Sequence, residues 1–362
     1  MSINREEFGP GVCVADFDGD GWQDIHFVNG RDLYDRGIVV GNALYHNHGD
    51  GTFTDVTDKA GVPGTGYGLG CVWGDYDNYG WPDIFVANDG LYAYLYHDQR
   101  DGTFEEMGLP AGMAVAGDGQ IMAAMGISLG DYDNDGWLDL YLSDFQKSSD
   151  HRWHSSGKGF FEDVSGPAGV SVPTREVLSF GGGFFDYDND GWLDLFIANG
   201  HVYPEVEQVT PEVHYKQLNT LFRNDGKGKF VETTKQTGSG LQKPYVGRGV
   251  AFADFDNDGF MENGGGQQWG SAAAAAQQRR ERESLSQFKA GGGQEQPGCD
   301  GGAGAGGGRR DCADSRDCGR GELFVAQPSA GTFRTGHGGS GGDGRGAVAE
   351  RAAPGVPEWG CR

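Results

Sequence analysis

Long apolar runs, basic side chains and cysteines are all scarce in this 362-residue chain. No stretch is long and apolar enough to span a bilayer, and Met1 to Phe8 contain neither an apolar signal-peptide core nor a cleavage site. The formal net charge of −25 disfavours binding to nucleic acids and to anionic membrane surfaces. We therefore predict neither membrane insertion nor nucleic-acid binding.

The acidic excess is confined to one part of the chain. Residues 260–362 contain 12 acidic and 12 basic residues, whereas residues 1–259 contain 41 acidic and 16 basic residues. Residues 260–362 also contain 26 glycines and two leucines but no isoleucine or tyrosine, so they cannot bury enough apolar surface to offset the entropy of ordering. We predict a repeat domain at 1–260 and a low-complexity tail at 261–362. The tail is expected to be disordered, or to result from a reading-frame shift that removed the strand expected after Gly259.

Catalytic and zinc-binding patterns are also missing. Cys13 and Cys71 lie in apolar segments, where a small buried residue is expected, and the other four cysteines lie in the tail without a metal-binding spacing. The histidines are scattered and are expected to be polar surface residues. There is no nucleophile elbow, phosphate loop or dinucleotide fingerprint in the repeats. We predict no catalytic and no cofactor-binding residue.

What the chain has instead is one acidic loop that occurs five times. The loops begin at positions 16, 75, 131, 186 and 254 and read DFDGDGWQD, DYDNYGWPD, DYDNDGWLD, DYDNDGWLD and DFDNDGFME. Carboxylates at loop positions 1, 3, 5 and 9, with glycine at position 6 for a tight turn, surround a point with hard oxygen atoms, which suits Ca²⁺. Without a cation these carboxylates would repel one another. We predict calcium sites; an Asp-rich turn without metal is the alternative.

The residues that follow each loop exclude an EF-hand. That site needs a bidentate Glu at position 12 and a helix after it. Position 12 is Phe27, Val86, Leu142 and Ile197 in the first four loops. The following segments, such as WLDLYLS at 137–143, alternate with the period of a β-strand. Each loop is therefore predicted to join two strands.

A second motif recurs between the loops. It consists of an aromatic strand, a glycine-containing turn and another aromatic position, as in NALYHNHGDGTF at 42–53 and NTLFRNDGKGKF at 219–230. This pattern predicts a β-hairpin. The acidic loops are 59, 56, 55 and 68 residues apart, and a repeat of this length with about four short strands is typical of a propeller blade. We predict an all-β propeller with four complete blades and a stub, forming an incomplete ring.

These motifs resemble the FG-GAP/VCBS repeat family, the calcium-loop β-propellers known from integrin α-subunits. Within it, the resemblance is to the ASPIC/UnbV-type secreted proteins and cartilage acidic protein, and it covers about residues 8–260. It implies that each loop holds one Ca²⁺ through its carboxylates and the carbonyl at position 7. The implied ligands are Asp16, Asp18, Asp20, Trp22 and Asp24; Asp75, Asp77, Trp81 and Asp83; Asp131, Asp133, Asp135, Trp137 and Asp139; Asp186, Asp188, Asp190, Trp192 and Asp194; and Asp254, Asp256 and Asp258.

Two loops depart from the family pattern. Tyr79 replaces the carboxylate at position 5 of the second loop, so this site is expected to be weaker. The fifth loop ends in Glu262 in place of Asp, at the point where the composition changes.

The resemblance implies a non-enzymatic adhesion or recognition module that works outside the cell or in the periplasm. Its ligand would be a protein or a glycan at the cell envelope or in the extracellular matrix. The alternative is a calcium-dependent enzyme that binds or cleaves polysaccharides. On this reading the chain is a fragment of an exported protein that lacks its signal and one or more blades.

Two insertions mark the expected recognition surface. The distance from the acidic loop to the hairpin aromatic is longer in the first and fourth repeats than in the second and third. Insertions in repeat proteins map to exposed loops, often on the binding face. We therefore expect Arg31 to Gly41 and His201 to Leu218 to contact the partner.

Overall fold

The computed structural model describes residues 11–29, 41–254, 261–267 and 273–275. These residues form four four-stranded antiparallel sheets and one three-stranded sheet, each a meander in which strands adjacent in sequence pair. The strands are β1 Val12–Ala15, β2 Asp24–Phe27, β3 Ala43–Asn47 and β4 Phe53–Asp55; β5 Gly68–Gly74, β6 Asp83–Asn88, β7 Tyr94–Asp98 and β8 Phe104–Glu106; β9 Ile127–Gly130, β10 Asp139–Leu142, β11 His151–Ser155 and β12 Phe161–Asp163; β13 Ser179–Phe185, β14 Asp194–Asn199, β15 Thr220–Asn224 and β16 Phe230–Glu232; and β17 Gly247–Ala253, β18 Glu262–Gln267 and β19 Ala273–Ala275.

Helices in the described part are short and lie between strands. They are α1 Thr57–Ala60, α2 Ser165–Ala168, α3 Ser171–Thr174, α4 Val206–Val209 and two 3-10 helices at Thr234–Gln236 and Ser239–Gln242. None is long and apolar enough to cross a membrane. The repeated meander confirms the predicted all-β propeller repeats, with four complete blades and a stub.

The first strands of successive sheets lie next to one another: β1 contacts β5, β5 contacts β9, β9 contacts β13, and β13 contacts β17. Glycine permits this approach. A Cβ added at Gly126 would lie 2.0 Å from the Phe180 carbonyl oxygen, and one at Gly182 would lie 2.4 Å from the Tyr141 ring. The run at Gly181 to Gly183 therefore reflects close packing between blades.

Apolar side chains fill the space between neighbouring sheets. Trp73 and Ile84 lie in the core between the first and second sheets, and Phe85 and Trp153 lie in the core between the second and third. All four are essentially inaccessible to solvent. Since burial of one such side chain contributes roughly 1.5–3 kcal/mol, each blade depends on its neighbours for much of its stability.

The fifth sheet differs from the sequence-based expectation. The strand expected after Gly259 is present: β18 pairs with β17, with Ala253 opposite Glu262, and Met261 packs against the cluster around Phe185. Backbone pairing needs no apolar side chains, which is why a glycine-rich segment can form this strand. Residues 276–362 lie outside the described residues, so the boundary at 260 and the tail remain predictions.

Candidate metal centre

Each of the first four acidic loops connects the first and second strands of its sheet. The glycine at loop position 6 has a φ between 86° and 94°, and position 4 is also left-handed, occupied by glycine or asparagine. These two residue types adopt positive φ at the lowest cost. The tight turn predicted from the loop sequence is therefore present in all four: Gly19 and Gly21, Asn78 and Gly80, Asn134 and Gly136, and Asn189 and Gly191.

The carboxylate at position 1 is held by the backbone of its own loop. Asp131 accepts hydrogen bonds from the N–H groups of Asp135 at 3.0 Å and Gly136 at 2.9 Å. The other three loops repeat both bonds at 2.7–3.1 Å. The turn therefore fixes this carboxylate in the same place in each blade.

The carboxylate at position 9 is the buried member of each set. Asp139 is inaccessible to solvent and accepts hydrogen bonds from the N–H of Tyr132 in its loop and the N–H of Ser155 on β11, at 3.3 and 2.9 Å. Asp24, Asp83 and Asp194 make the corresponding bonds to their own loop and third strand. This residue ties the loop to the hairpin of its blade.

Burial changes the acidity of these carboxyl groups. Desolvation is the largest cause; it raises the pKa to about 7 for Asp83, about 8 for Asp139 and about 7 for Asp194, and it also raises the pKa of Asp24. Nearby loop carboxylates raise these pKa values further. A positive charge at this point would favour the ionised form.

The loops bring their oxygen atoms together as a cation would require. One carboxylate oxygen from each of Asp75, Asp77 and Asp83 lies within 4.8 Å of the other two, and the first loop converges in the same way through its first three acids. Asp133 Oδ1 and Asp188 Oδ1 are buried and accept no hydrogen bond from the part of the chain that the structure describes. A buried acceptor without a donor is costly, and a cation would satisfy it. These hard oxygen donors fit Ca²⁺.

A histidine on the third strand faces each of the first three loops, which the sequence reasoning missed. His46 Nδ1 lies 3.2 Å from Asp18 and 3.3 Å from the buried carboxylate of the same loop. His97 and His154 stand in the same relation to the second and third loops, at 2.9 and 3.1 Å from the position 9 carboxylate. The expectation that the histidines are plain surface residues was wrong for these three, and also for His26 and His201, which are buried.

The fourth blade has arginine at this place. Arg223 donates to Asp188 at 2.9 Å and to Asp190 at 2.7 Å. A sequence pattern could have identified these residues, since each of the four basic side chains directly follows the hairpin aromatic. Imidazole can serve as a further metal ligand, whereas guanidinium cannot and instead neutralises the fourth loop.

Neighbouring loops are linked to one another. Asn78 donates from its side-chain amide to the carbonyl of Gly136 at 2.9 Å, and Asn134 donates to the carbonyl of Gly191 at 3.0 Å. The second, third and fourth acidic loops therefore lie side by side at the same end of their blades.

The tryptophan at loop position 7 covers the hairpin turn of its own blade. A Cβ added at Gly49 would lie 2.2 Å from the Trp22 ring, and one at Gly157 would lie 2.1 Å from the Trp137 ring. Trp192 covers the turn of the fourth blade in the same manner. Ligation by the carbonyl at position 7, including that of Trp81, stays a prediction.

The two unusual loops are only partly accounted for. Tyr79 is 64% exposed, offers no carboxylate, and has the Arg100 guanidinium 4.5 Å from its ring. In the fifth loop, Asp254 is described, but Asp256 and Asp258 lie outside the described residues.

One of the two expected recognition segments can be located in the structure, and it leaves the end of the blade opposite the acidic loops. In a four-stranded meander, the first and third connections share one end and the second connection lies at the other. His201 to Leu218 is the second connection of the fourth blade, between β14 and β15, whereas residues 30–40 of the first blade lie outside the described residues. Val206 and Val213 are buried, while Val209 is 74% exposed. The segment is anchored at several points and presents its tip to solvent.

The fold and the loops define a class: a repeat β-propeller with one acidic loop in each blade. The sequence model of the FG-GAP-like repeat family matches residues 16–86, 75–142 and 186–262. The chain belongs to this family.

Among curated proteins, the chain is similar to cartilage acidic protein 1 from several vertebrates. It is 27% identical to the human protein over 271 residues, which is 70% of this chain and 37% of that protein. The Xenopus tropicalis protein is 25% identical over 272 residues, or 70% of this chain and 38% of that protein. The chain thus spans less than two fifths of the length of these relatives.

Solved structures to which the chain is similar include a lectin and two lyases. An Agrocybe aegerita lectin that recognises non-reducing terminal N-acetylglucosamine is 15% identical, with a TM-score of 0.36 over 75% of this chain and 81% of that one. The exotype rhamnogalacturonan lyase YesX is 15% identical, with a TM-score of 0.38 over 72% and 45%. These similarities are too low to assign an activity.

Proposed function

We propose that this chain is a non-enzymatic, calcium-binding β-propeller that acts as an extracellular adhesion or recognition module, with a protein or glycan ligand. The observation that supports calcium binding best is the pair of buried oxygens, Asp133 Oδ1 and Asp188 Oδ1, in the third and fourth acidic loops, which have no hydrogen-bond partner among the described residues. The same turn, with a backbone-bound carboxylate at position 1 and a buried carboxylate at position 9, recurs in the first four loops and favours a structural use of the cation.

The cation would stabilise the blade by holding its loop against its hairpin. Ca²⁺ supplies two positive charges to a cluster whose buried member, Asp139 in the third blade, is bonded to both the loop and the third strand. An ion that binds only the folded loop raises stability by mass action, by about 2.7 kcal/mol for each site when its concentration is 100 times the Kd. Weak sites of this kind fill best outside the cell, where calcium is on the order of millimolar.

Recognition would take place at the other end of the blades. The tip of the segment from His201 to Leu218 exposes Val209 together with Glu205 and Gln208. A binding surface on these second connections would leave the acidic loops free to serve stability alone. Three of the described histidines also have structural partners, since His97 and His154 face the loops and His151 lies between two carboxylates.

Thermal unfolding tests the calcium proposal directly. Millimolar Ca²⁺ should raise the Tm of the chain above its value in EDTA. Asp133→Ala should lose part of that gain, whereas Glu105→Ala, which removes an exposed acid outside the loops, should keep it. An identical Tm in EDTA and in millimolar Ca²⁺ would refute the proposal.

A glycan array and a lyase assay on the calcium-loaded chain separate the module from the enzyme. Binding without product formation is expected. Turnover of a polysaccharide would favour the alternative, a calcium-dependent polysaccharide-cleaving enzyme.

A further inference from the structure

Three soft ligand groups meet in the core between the first and second sheets. Cys13 on β1 lies directly across the ladder from His26 on β2, with its Sγ 4.0 Å from His26 Nδ1. Cys71 on β5 enters from the second sheet, with its Sγ 3.8 Å from the His26 carbonyl oxygen. One ligand atom from each of the three side chains lies within 4.8 Å of the other two.

These three side chains are buried in the core. Cys13, His26 and Cys71 are 6%, 0% and 2% exposed. Among the described residues, His26 Nε2 has no hydrogen-bond partner, and burial lowers the pKa of this imidazole to about 3, so the ring is neutral. A buried imidazole nitrogen without a partner is costly, and neutral imidazole is a common metal ligand.

Comparison of the repeats indicates that the fold does not require these residue types. In the next three sheets, the position of His26 is occupied by Phe85, Tyr141 and Phe196. The residues across the ladder from them, equivalent to Cys13, are Val72, Ser128 and Gly183. Packing is thus satisfied by an aromatic ring opposite a small residue, and the first sheet places a thiol and an imidazole there instead.

We propose that Cys13, His26 and Cys71 form a binding site for one thiophilic cation, Zn²⁺ or Cu⁺, at the junction of the first two blades. Thiolate and imidazole select such metals, in contrast to the hard oxygens of the acidic loops. Both thiols lose a proton when the metal binds. Two thiolates and a neutral imidazole around Zn²⁺ carry no net charge, which suits a buried site, whereas burial raises the pKa of Cys13 and disfavours a free thiolate.

The test needs a full-length chain in which only two thiols remain. Replacing the tail cysteines by serine (C299S, C312S, C318S and C361S) leaves Cys13 and Cys71. Zn²⁺ and Cu⁺ are offered separately against a competing chelator, with millimolar Ca²⁺ present to fill the acidic loops. We expect one tightly held equivalent, with sulfur in its coordination shell by X-ray absorption.

Two variants, each lacking one proposed ligand, test the assignment of the metal site. Cys71→Ser and His26→Phe should each weaken binding by more than about 100-fold, since loss of outer-shell partners alone costs 10–100-fold. His26→Phe copies the aromatic of the second and fourth sheets, so it should fold and keep the wild-type response to Ca²⁺. Equal metal retention by His26→Phe, no sulfur-bound metal in the parent, or a parent mass lower by two hydrogens from a Cys13–Cys71 disulfide would each overturn the proposal.

Discussion

At the scale of single residues, His151 lies between two carboxylates in the third blade. Its Nε2 is 3.2 Å from Asp144, and its Nδ1 is 3.5 Å from Asp163. Burial opposes the charge on this ring, but hydrogen bonds and attraction to the two carboxylates outweigh it and raise the pKa of His151 to about 9. The folded protein therefore holds the imidazole protonated at neutral pH.

Replacement of His151 by Gln should destabilise the protein in a pH-dependent way. The pKa is raised above its unfolded value of about 6.5, so the stabilisation is complete below that pH and is lost as pH rises through about 9. The pH-dependent contribution of His151 to the free energy of unfolding is at most about 3 kcal/mol at pH 6. Urea unfolding of both proteins at pH 6, 8 and 10 measures it. A difference that is the same at all three pH values would show that His151 acts only by packing.

Proton release should accompany calcium binding. Because burial raises the pKa of Asp83, Asp139 and Asp194 to between about 7 and about 8, cation binding must displace protons near neutral pH. Calcium affinity should therefore rise as pH increases from about 6 to 8 and level off above the raised pKa values. Calorimetric titrations in buffers of different ionisation enthalpy count the protons. Binding without proton exchange at pH 7 would contradict this.

Residue-level prediction succeeded where the chemistry lies within one loop. Position 1 and position 6 are five residues apart, so the turn that joins them could be inferred from glycine and aspartate alone. His46 and Asp18 are 28 residues apart and meet only because β2 and β3 pair in one register. That register depends on packing against the next sheet, which a single sequence does not specify.

At the scale of secondary-structure elements, the second acidic loop is the informative exception. It keeps the turn and the carboxylates of positions 1, 3 and 9 but has Tyr79 where the first, third and fourth loops have an acid. In those three loops, the acid at position 5 also accepts the N–H of the following tryptophan, at 2.9–3.1 Å. The second loop lacks both the ligand and this bond.

Tyr79→Asp should restore a calcium site of full strength. The additional carboxylate is expected to tighten binding at this loop by on the order of tenfold and to enlarge the rise in Tm with Ca²⁺. Tyr92→Asp, which adds the same charge at an exposed position outside the loops, is the matched control. If Ca²⁺ raises the Tm of both variants equally, the gain comes from the added negative charge in general and not from a new ligand in the loop.

Strands could be predicted from the sequence where apolar and polar residues alternate along them. The prediction failed where this alternation is missing. The strand after each tryptophan was visible because Leu138 and Leu140 flank an acid in the expected period. β18 was missed because its glycines carry no such pattern, although its backbone pairs with β17 through Ala253 and Val250. A periodic pattern of apolar residues indicates which face of a strand is buried. A strand held mainly by backbone hydrogen bonds has no such pattern and is therefore not visible in the sequence.

At the scale of the whole molecule, the proposed function assigns stability and recognition to opposite ends of the described blades. Replacing the exposed tip around Val209 by a short turn should reduce binding to a matrix or envelope extract while leaving the calcium-dependent rise in Tm unchanged. Asp133→Ala should reduce the calcium-dependent rise in Tm and leave binding to the extract unchanged, at temperatures where the chain stays folded. Pull-down and thermal unfolding of the same two variants provide the comparison. Intact binding after removal of the tip would rule it out as the recognition surface.

The amide links from Asn78 to Gly136 and from Asn134 to Gly191 join the loops into a chain of neighbours. A cation that orders one loop fixes the carbonyl or the amide that the adjacent loop uses, so the second binding event costs less conformational entropy than the first. Occupancy of the second, third and fourth sites should consequently be positively cooperative, with a calcium titration steeper than that of independent sites. Across this row of blades, a modest change in calcium concentration would then act as a threshold between a loosened and a rigid arrangement.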